Sequence, residues 1–224
     1  RLSHDGERIG GETINEEETI DVETVVSTLP LTLVLRLLDP APPDEIRQIA
    51  QSMRFRHLRL AVLGIDRPRI TRNASLYFPS HDIPFTRLYE PKNRSPDMAP
   101  PDQTVVVLEL PCEPDDAHWK TTPETLKGMA YDLLVSQNLV DGEAIVAFEP
   151  HDVPFAYPIL EVGAEEKAER LKTYLNRFTN LYLLGRSADF SYTHVHDLFS
   201  QARSLTDNLS NRADRSKRDL KPIS

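Results

Sequence analysis

The segment Leu181-Tyr182-Leu183-Leu184-Gly185-Arg186 places a glycine and an arginine directly after a short apolar run. A glycine at the end of a buried strand lets the backbone approach a ligand, and a following helix start favours anionic groups. The plainer reading is a strand-to-helix turn with a surface arginine. A second cluster, Arg87, Glu90, Lys92, Asn93 and Arg94, sits at a strand end beside a proline-rich loop. Alternation puts Arg87 and Tyr89 on one face and Leu88 on the other. Such a cluster could hold an anionic or polyol ligand, or be a solvated loop kept in shape by ion pairs. Pro154-Phe155-Ala156-Tyr157-Pro158 pins an extended stretch with two aromatics, which either line a pocket or plug a core edge.

Other chemistry is poorly supplied. His194 and His196 stand two apart beside Asp197. On a helix that spacing splits the imidazoles and on a strand it puts them on one face, but no third ligand stands at fixed spacing, so a metal site is not expected. Cys112 lies between Pro111 and Glu113, where acidic neighbours disfavour a thiolate. No serine lies in a G-x-S-x-G elbow, and no paired carboxylates announce glycosidase chemistry. No catalytic residue can be named. There are 8 Gly against 18 Pro, where ordinary usage is about 7 % and 5 %. The glycines fall in no G-x-G-x-x-G or P-loop spacing, so this chain lacks a recognisable phosphate-cradling loop.

The elements that must carry these residues read as mixed α and β. Thr19–Ser27 alternates and ends in Val25-Val26, which predicts one strand entering a core, stopped at Pro30. Leu31–Leu38 predicts a helix, and Asp44 caps a second one running to about Arg54. His57–Asp66, Ser75–Phe78, Phe85–Tyr89, Thr104–Leu110 and Ala144–Glu149 predict strands separated by proline-rich turns. Pro123–Gln137, with Thr122 as N-cap, and Gly163–Phe178 predict amphipathic helices. Asn180–Leu184 predicts a short buried strand, and a helix follows from Thr193 to about Asn208. Residues 1–19 are polar with Gly6 and Gly10-Gly11 as turn signals. Residues 210–224 carry Arg212, Arg215, Lys217, Arg218 and Lys221 and read as a frayed tail.

The fold class is therefore α+β: a mixed, mostly antiparallel sheet with helices, plus two remnants of a βα dinucleotide-binding layer. The remnants are the strand ending in Ser27 and the strand–turn–helix from Leu181. At 224 residues, such a chain buries a sizeable core. A net charge of −9 argues against a dedicated nucleic-acid binder. No apolar run reaches the roughly 20 residues of a membrane span. The single cysteine fits a reducing, cytoplasmic setting. The chain opens on Arg1, which predicts that something upstream is missing.

Several segments together resemble the flavin-dependent amine oxidoreductases. They are Val25-Val26-Ser27-Thr28-Leu29-Pro30-Leu31, Tyr77-Phe78-Pro79, Asp82-Ile83-Pro84-Phe85-Thr86-Arg87, Glu90–Pro101, Ala156-Tyr157-Pro158 and Asn180–Arg186. The likeness is to the bacterial protoporphyrinogen-oxidase-like and sugar-processing members, with UDP-galactopyranose mutase a more distant relative, and it covers about residues 1–209. The resemblance implies the C-terminal part of a longer FAD enzyme, an α/β flavoprotein fragment. Residues 1–29 would be a remnant of the FAD-binding domain, 30–160 the substrate-binding domain, 161–209 the return to the FAD-binding domain and 210–224 a polar tail. It implies hydride transfer from a small-molecule substrate to FAD. Gly185, Arg186, Phe190 and Tyr192 would lie along the cofactor, and Arg87, Lys92 and Tyr157 would touch substrate. The chain departs from the family after Gly185-Arg186, where an Asn-Gly pair and a Tyr-Asn-Asn-Met-Asp-like run are usual. Here the residues are Ser187-Ala188-Asp189-Phe190-Ser191-Tyr192-Thr193-His194. Two alternatives stand beside the oxidoreductase: a non-catalytic binding module that kept the substrate-domain fold, and a flavin-dependent sugar-nucleotide mutase. An exposed sheet edge leaves homodimerisation of the chain open.

Overall fold

The computed structural model describes the backbone of residues 1–219 and side chains through Asn211. Two compact units are present, one of Arg1–Arg54 with the chain from Tyr157 onward, the other of Phe55–Ala156.

In the first unit, β1 (Leu2–His4), β2 (Ile9–Ile14), β3 (Glu18–Asp21), β4 (Val25–Ser27), α1 (Leu31–Leu37), β5 (Leu38–Asp39) and α2 (Asp44–Ser52) come from the front of the chain. The N-terminal stretch is thus strand, where turns were expected. Gly10-Gly11 hides the alternation, yet Ile9 and Gly11 both point inward. A Cβ at Gly11 would stand 3.1 Å from the Ser3 hydroxyl on the paired strand, so the glycine serves close approach. The expected single strand over Thr19–Ser27 is two. Beyond Asp21, Val22 N–H donates to Gly10 C=O (3.0 Å), and Glu23 C=O accepts from Arg8 (2.7 Å). These bonds turn the chain out of the four-stranded sheet β3-β2-β1-β5 before β4 enters another. At α2, Pro43 holds the N-cap position with no side-chain cap, and Asp44 lies in the first turn beside Glu45. There the carboxylates oppose the helix dipole rather than bond its ends.

The second unit is built on a five-stranded sheet of β6 (Phe55–Ile65), β7 (Ser75–Tyr77), β8 (Arg87–Tyr89), β9 (Thr104–Cys112) and β10 (Ile145–Pro158), in the order β10-β6-β9-β8-β7. Only β7, β8 and β9 follow one another as neighbours, while β6 pairs antiparallel with β9. Odd residues of β6 and even residues of β9 are buried, and they pack on α3 (Pro123–Ser136) through Leu126, Ala130, Leu133 and Leu134. Thr122 caps α3 as expected, accepting from Thr125 N–H at 3.2 Å. β10 runs nine residues past its expected end at Glu149, through Pro150 and Pro154. A proline ends a central strand but is tolerated on an edge, and β10 is an edge strand.

The chain then returns to the first unit as α4 (Ala164–Leu175), β11 (Leu181–Leu183), α5 (Arg186–Asp189) and α6 (Val195–Asp219). Leu31, Val34 and Leu35 of α1, Ala50 of α2 and Ala168, Leu171 and Leu175 of α4 form its core. α6 continues well beyond Asn208. Residues 220–224 of the expected tail, and the side chains of Arg212, Arg215, Lys217, Arg218 and Lys221, lie outside the described residues. No helix among the described residues is long and apolar enough to cross a membrane.

His57 of β6 is 6 % exposed, its Nδ1 has no hydrogen-bond partner, and its ring lies 4.8 Å from Trp119 and 5.2 Å from Phe155. Burial holds its pKa below the ordinary 6.5. A depressed imidazole destabilises the fold only when forced to charge, so its contribution is intact above that value. It is lost as pH falls through the lower folded value. Denaturant midpoints should therefore drop between about pH 7.5 and pH 5, and His57→Phe should shrink the drop. An identical pH profile in the variant contradicts this.

Candidate functional site

Two strands from opposite ends of the chain build one edge. β4 and β11 pair in parallel, Val25 with Leu181, Val26 with Tyr182 and Ser27 with Leu183. Val25 N–H donates to Asn180 C=O at 2.8 Å, and Leu184 N–H to Ser27 C=O at 2.9 Å. The buried Asn180 side chain fixes the register. Its Oδ1 accepts from Ile9 N–H (2.9 Å), and its Nδ2 donates to Ile9 C=O (2.8 Å) and Glu23 C=O (3.1 Å). Both strands end at the same side, and ligands of α/β sheets bind outside such carboxyl ends.

Gly185 stands at that edge with φ +98° and ψ 163°, a region essentially closed to other residues. A Cβ there would meet nothing within 4 Å, so backbone conformation, not crowding, demands glycine. Beside it lies a cavity of about 650 Å³, lined by Leu183, Gly185, Asn176, Ser200, Gln201 and Ser204. These amides and hydroxyls share the lining with Leu181, Leu184, Leu205 and the Lys172–Asp189 pair, a mixed surface of the kind that holds a ligand with polar and apolar parts.

The turn after Gly185 is closed by its own residues. Arg186 donates from Nε (3.1 Å) and Nη2 (2.9 Å) to Thr193 C=O. The guanidinium thus closes the turn rather than standing displayed at the surface. Phe190 adopts the left-handed conformation and is buried. Tyr192 is 55 % exposed. Its hydroxyl donates to Pro158 C=O at 2.9 Å, and its ring lies 6.1 Å from that of Tyr157. Gly185, Arg186, Phe190 and Tyr192 thus form one local structure, and Tyr157 joins it by packing. Lys172 of α4, absent from the sequence reading, ties the turn down. It bonds Asp189 at 3.0 Å and also reaches Glu169. Burial works against its charge, but the hydrogen bonds to Glu169 and Asp189 outweigh it and raise its pKa. The Glu169 pairing follows from helical spacing, whereas the Asp189 contact carries no sequence signal.

In the second unit, Arg87 lies on the sheet face away from the core. Its Nε donates to Glu109 Oε2 at 2.9 Å, its Nη2 to Glu109 Oε1, and its guanidinium sits 5.3 Å from the Tyr89 ring. These bonds to Glu109, above all, outweigh burial and raise its pKa. Tyr77, Tyr89 and Glu109 complete this row; only the strand register shows them as neighbours. Lys92, expected to touch substrate, instead donates to the carbonyls of Pro100, Pro101 (3.0 Å) and Gln103 (2.6 Å). Its three N–H donors are spent on holding the proline-rich loop. Glu90 is fully buried and accepts from Ile70 N, Thr71 N, Asn93 Nδ2 and Thr104 Oγ1. These bonds hold the loop through Glu90, Lys92 and Asn93, and Arg94 donates to Ser75 Oγ at 3.2 Å.

Phe155 packs on Phe55 and His57, a core plug, while its neighbour Tyr157 goes to the turn. Cys112 is buried, its Sγ–H donates to Leu110 C=O at 3.3 Å, and its pKa is pushed up to about 11. Burial is the main cause and Asp116 the second; the adjacent Glu113 is not among them. The His194 and His196 rings stack at 5.6 Å. Among the described residues no group of three or more His, Cys, Asp or Glu is placed to hold a metal.

No family model and no curated protein sequence matches the chain. Solved structures do. Reduced UDP-galactopyranose mutase is similar with a TM-score of 0.71 at 22 % identity over 85 % of this chain. A protoporphyrinogen oxidase-like protein from Exiguobacterium sp. 255-15 gives 0.69 at 14 % over 94 %. A putrescine oxidase double mutant redesigned in cofactor binding gives 0.63 at 13 % over 93 %. The chain covers 40 %, 46 % and 47 % of these proteins, so it spans less than half of their length. If Gly185 serves the edge as its backbone indicates, Gly185→Ala should cost about 1–3 kcal/mol and speed amide exchange over residues 186–193. Unchanged exchange there would contradict the assignment. Over the part it spans, the chain shares the fold of these three solved proteins.

Proposed function

We propose that this chain is the C-terminal, substrate-facing part of an FAD-dependent oxidoreductase that takes a hydride from a small-molecule substrate. The observation that carries this is the parallel β4–β11 pair with Gly185 at its carboxyl edge. In this reading residues 1–29 and 161–209 belong to the FAD-binding domain and 30–160 to the substrate-binding domain.

The residues present fit such a cofactor. Gly185 leaves its peptide open to the cavity, with no Cβ to hold a ring system off. Arg186 keeps the turn closed through Thr193, Phe190 anchors it in the core, and Tyr192 and Tyr157 offer aromatic surface beside it. Bound flavin supplies a two-electron acceptor. The chain supplies binding and orientation: the cavity lining for the cofactor chain, and the Arg87 face for substrate. The proposal includes a cytoplasmic location, supported by one buried thiol among the described residues, and leaves room for a homodimer through the exposed β4 edge at Val26.

A second reading, a binding module without cofactor, is favoured by Asp189. This carboxylate sits one short helix from Gly185 and needs Lys172 to offset it, where a diphosphate would prefer no anion. Titrating the full-length protein with FAD separates the two. The oxidoreductase reading expects flavin absorbance to shift and flavin to stay with the protein on gel filtration, and Gly185→Val to abolish both with the fold retained by circular dichroism. A protein that stays colourless in excess FAD contradicts it.

A further inference from the structure

Strand register decides what the open face of the second unit's sheet presents. Leu58, Leu60 and Val62 of β6 and Val105 of β9, all half-buried, alternate with the core-facing residues, and Val107 beside them is buried. They make an aliphatic floor. Across it, Tyr77, Arg87, Glu109 and Leu60 form one row, because Tyr77 pairs with Arg87, Arg87 with Glu109 and Glu109 with Leu60. An ion pair on such a face would cancel if both partners were equally covered. They are not: the Glu109 side chain is 13 % exposed and that of Arg87 34 %. The carboxylate is hidden and the cation is shown. Glu109 takes the Nε and Nη2 edge, and Tyr89 lies 5.3 Å from the guanidinium. Tyr77 is a further side-chain hydrogen-bond neighbour of the guanidinium, and the two bonds to Glu109 hold the group in one orientation while its exposed third remains open to an acceptor.

We propose that this face binds an apolar molecule carrying one carboxylate, with Arg87 as the docking cation and the aliphatic floor taking the rest. This rests on the reading that the face receives substrate, and it narrows the substrate class. A doubly charged phosphate is a poorer match, since one guanidinium faces it and Glu109 stands directly behind. Glu109 and Tyr89 are positioning residues, which aim Arg87 without touching the ligand.

Calorimetric titration of the chain with octanoate, octyl phosphate, octanol and octylamine tests this. Octanoate should bind more tightly than octanol, octyl phosphate and octylamine. Arg87→Met should weaken octanoate about tenfold or more, the scale of one charge-assisted hydrogen-bond pair, and leave octanol unchanged. Arg87→Lys should keep the preference for octanoate over octanol but lower it. Should Arg87→Met fail to fold by circular dichroism, Glu109→Gln serves: with the rear carboxylate gone, octyl phosphate should gain relative to octanoate. Equal affinity for octanoate and octanol, preference for octylamine, or octanoate binding indifferent to Arg87→Met each overturns the proposal. FAD uptake by the full-length protein, measured alongside, is a separate readout. Uptake without any preference for carboxylate sinks this substrate class alone, whereas carboxylate selectivity in a protein that takes up no FAD upholds the Arg87 site and sinks the oxidoreductase.

Discussion

The parallel pairing of Val25–Ser27 with Leu181–Leu183 is the constraint on which the first unit depends. Two three-residue strands are too short to hold each other. What holds them is the buried Asn180 amide, which meets Ile9 on both its N–H and its C=O and takes up Glu23 C=O as well. Without it the buried N–H and C=O of Ile9 would lose these partners, at about 1–3 kcal/mol apiece. One side chain therefore ties the front of the chain to its return and sets where the Gly185 turn begins.

The turn itself is made rigid from within. Arg186 bonds Thr193, Lys172 bonds Asp189, and Tyr192 bonds Pro158. Each of these hydrogen bonds helps a short loop keep its shape. The second unit repeats this logic: Glu90 and Lys92 spend their hydrogen bonds on the loops around the sheet, and Glu109 aims Arg87. What is left open is backbone at Gly185, the cavity beside it, and the exposed third of the Arg87 side chain.

Much of this was legible in the sequence, for physical reasons. Val25–Ser27 and Leu181–Leu183 are apolar runs bounded by proline or glycine, and their joint membership of one layer follows from a resemblance that holds at the level of fold. Thr122 announced its helix by being an N-cap residue before a proline. The N-terminal strands were not legible, because Gly10-Gly11 imitates a turn where close approach to Ser3 requires a small residue. The length of β10 was hidden by prolines that only an edge strand accepts. The carbonyl partners of Lys92 were not legible, because charge alone does not show whether a side chain's donors face solvent or a neighbouring carbonyl. Lys172, Asn180 and Glu109 owe their importance to partners distant in sequence, which no local pattern encodes.

The account stands or falls on whether the Gly185 edge is where a cofactor lies. Hydrogen exchange read by mass spectrometry on the full-length protein, with and without FAD, addresses it directly. The account predicts slowed exchange concentrated in residues 184–193 and in Ser27–Leu29 at the end of β4. Slowing elsewhere with those two segments unchanged would contradict it.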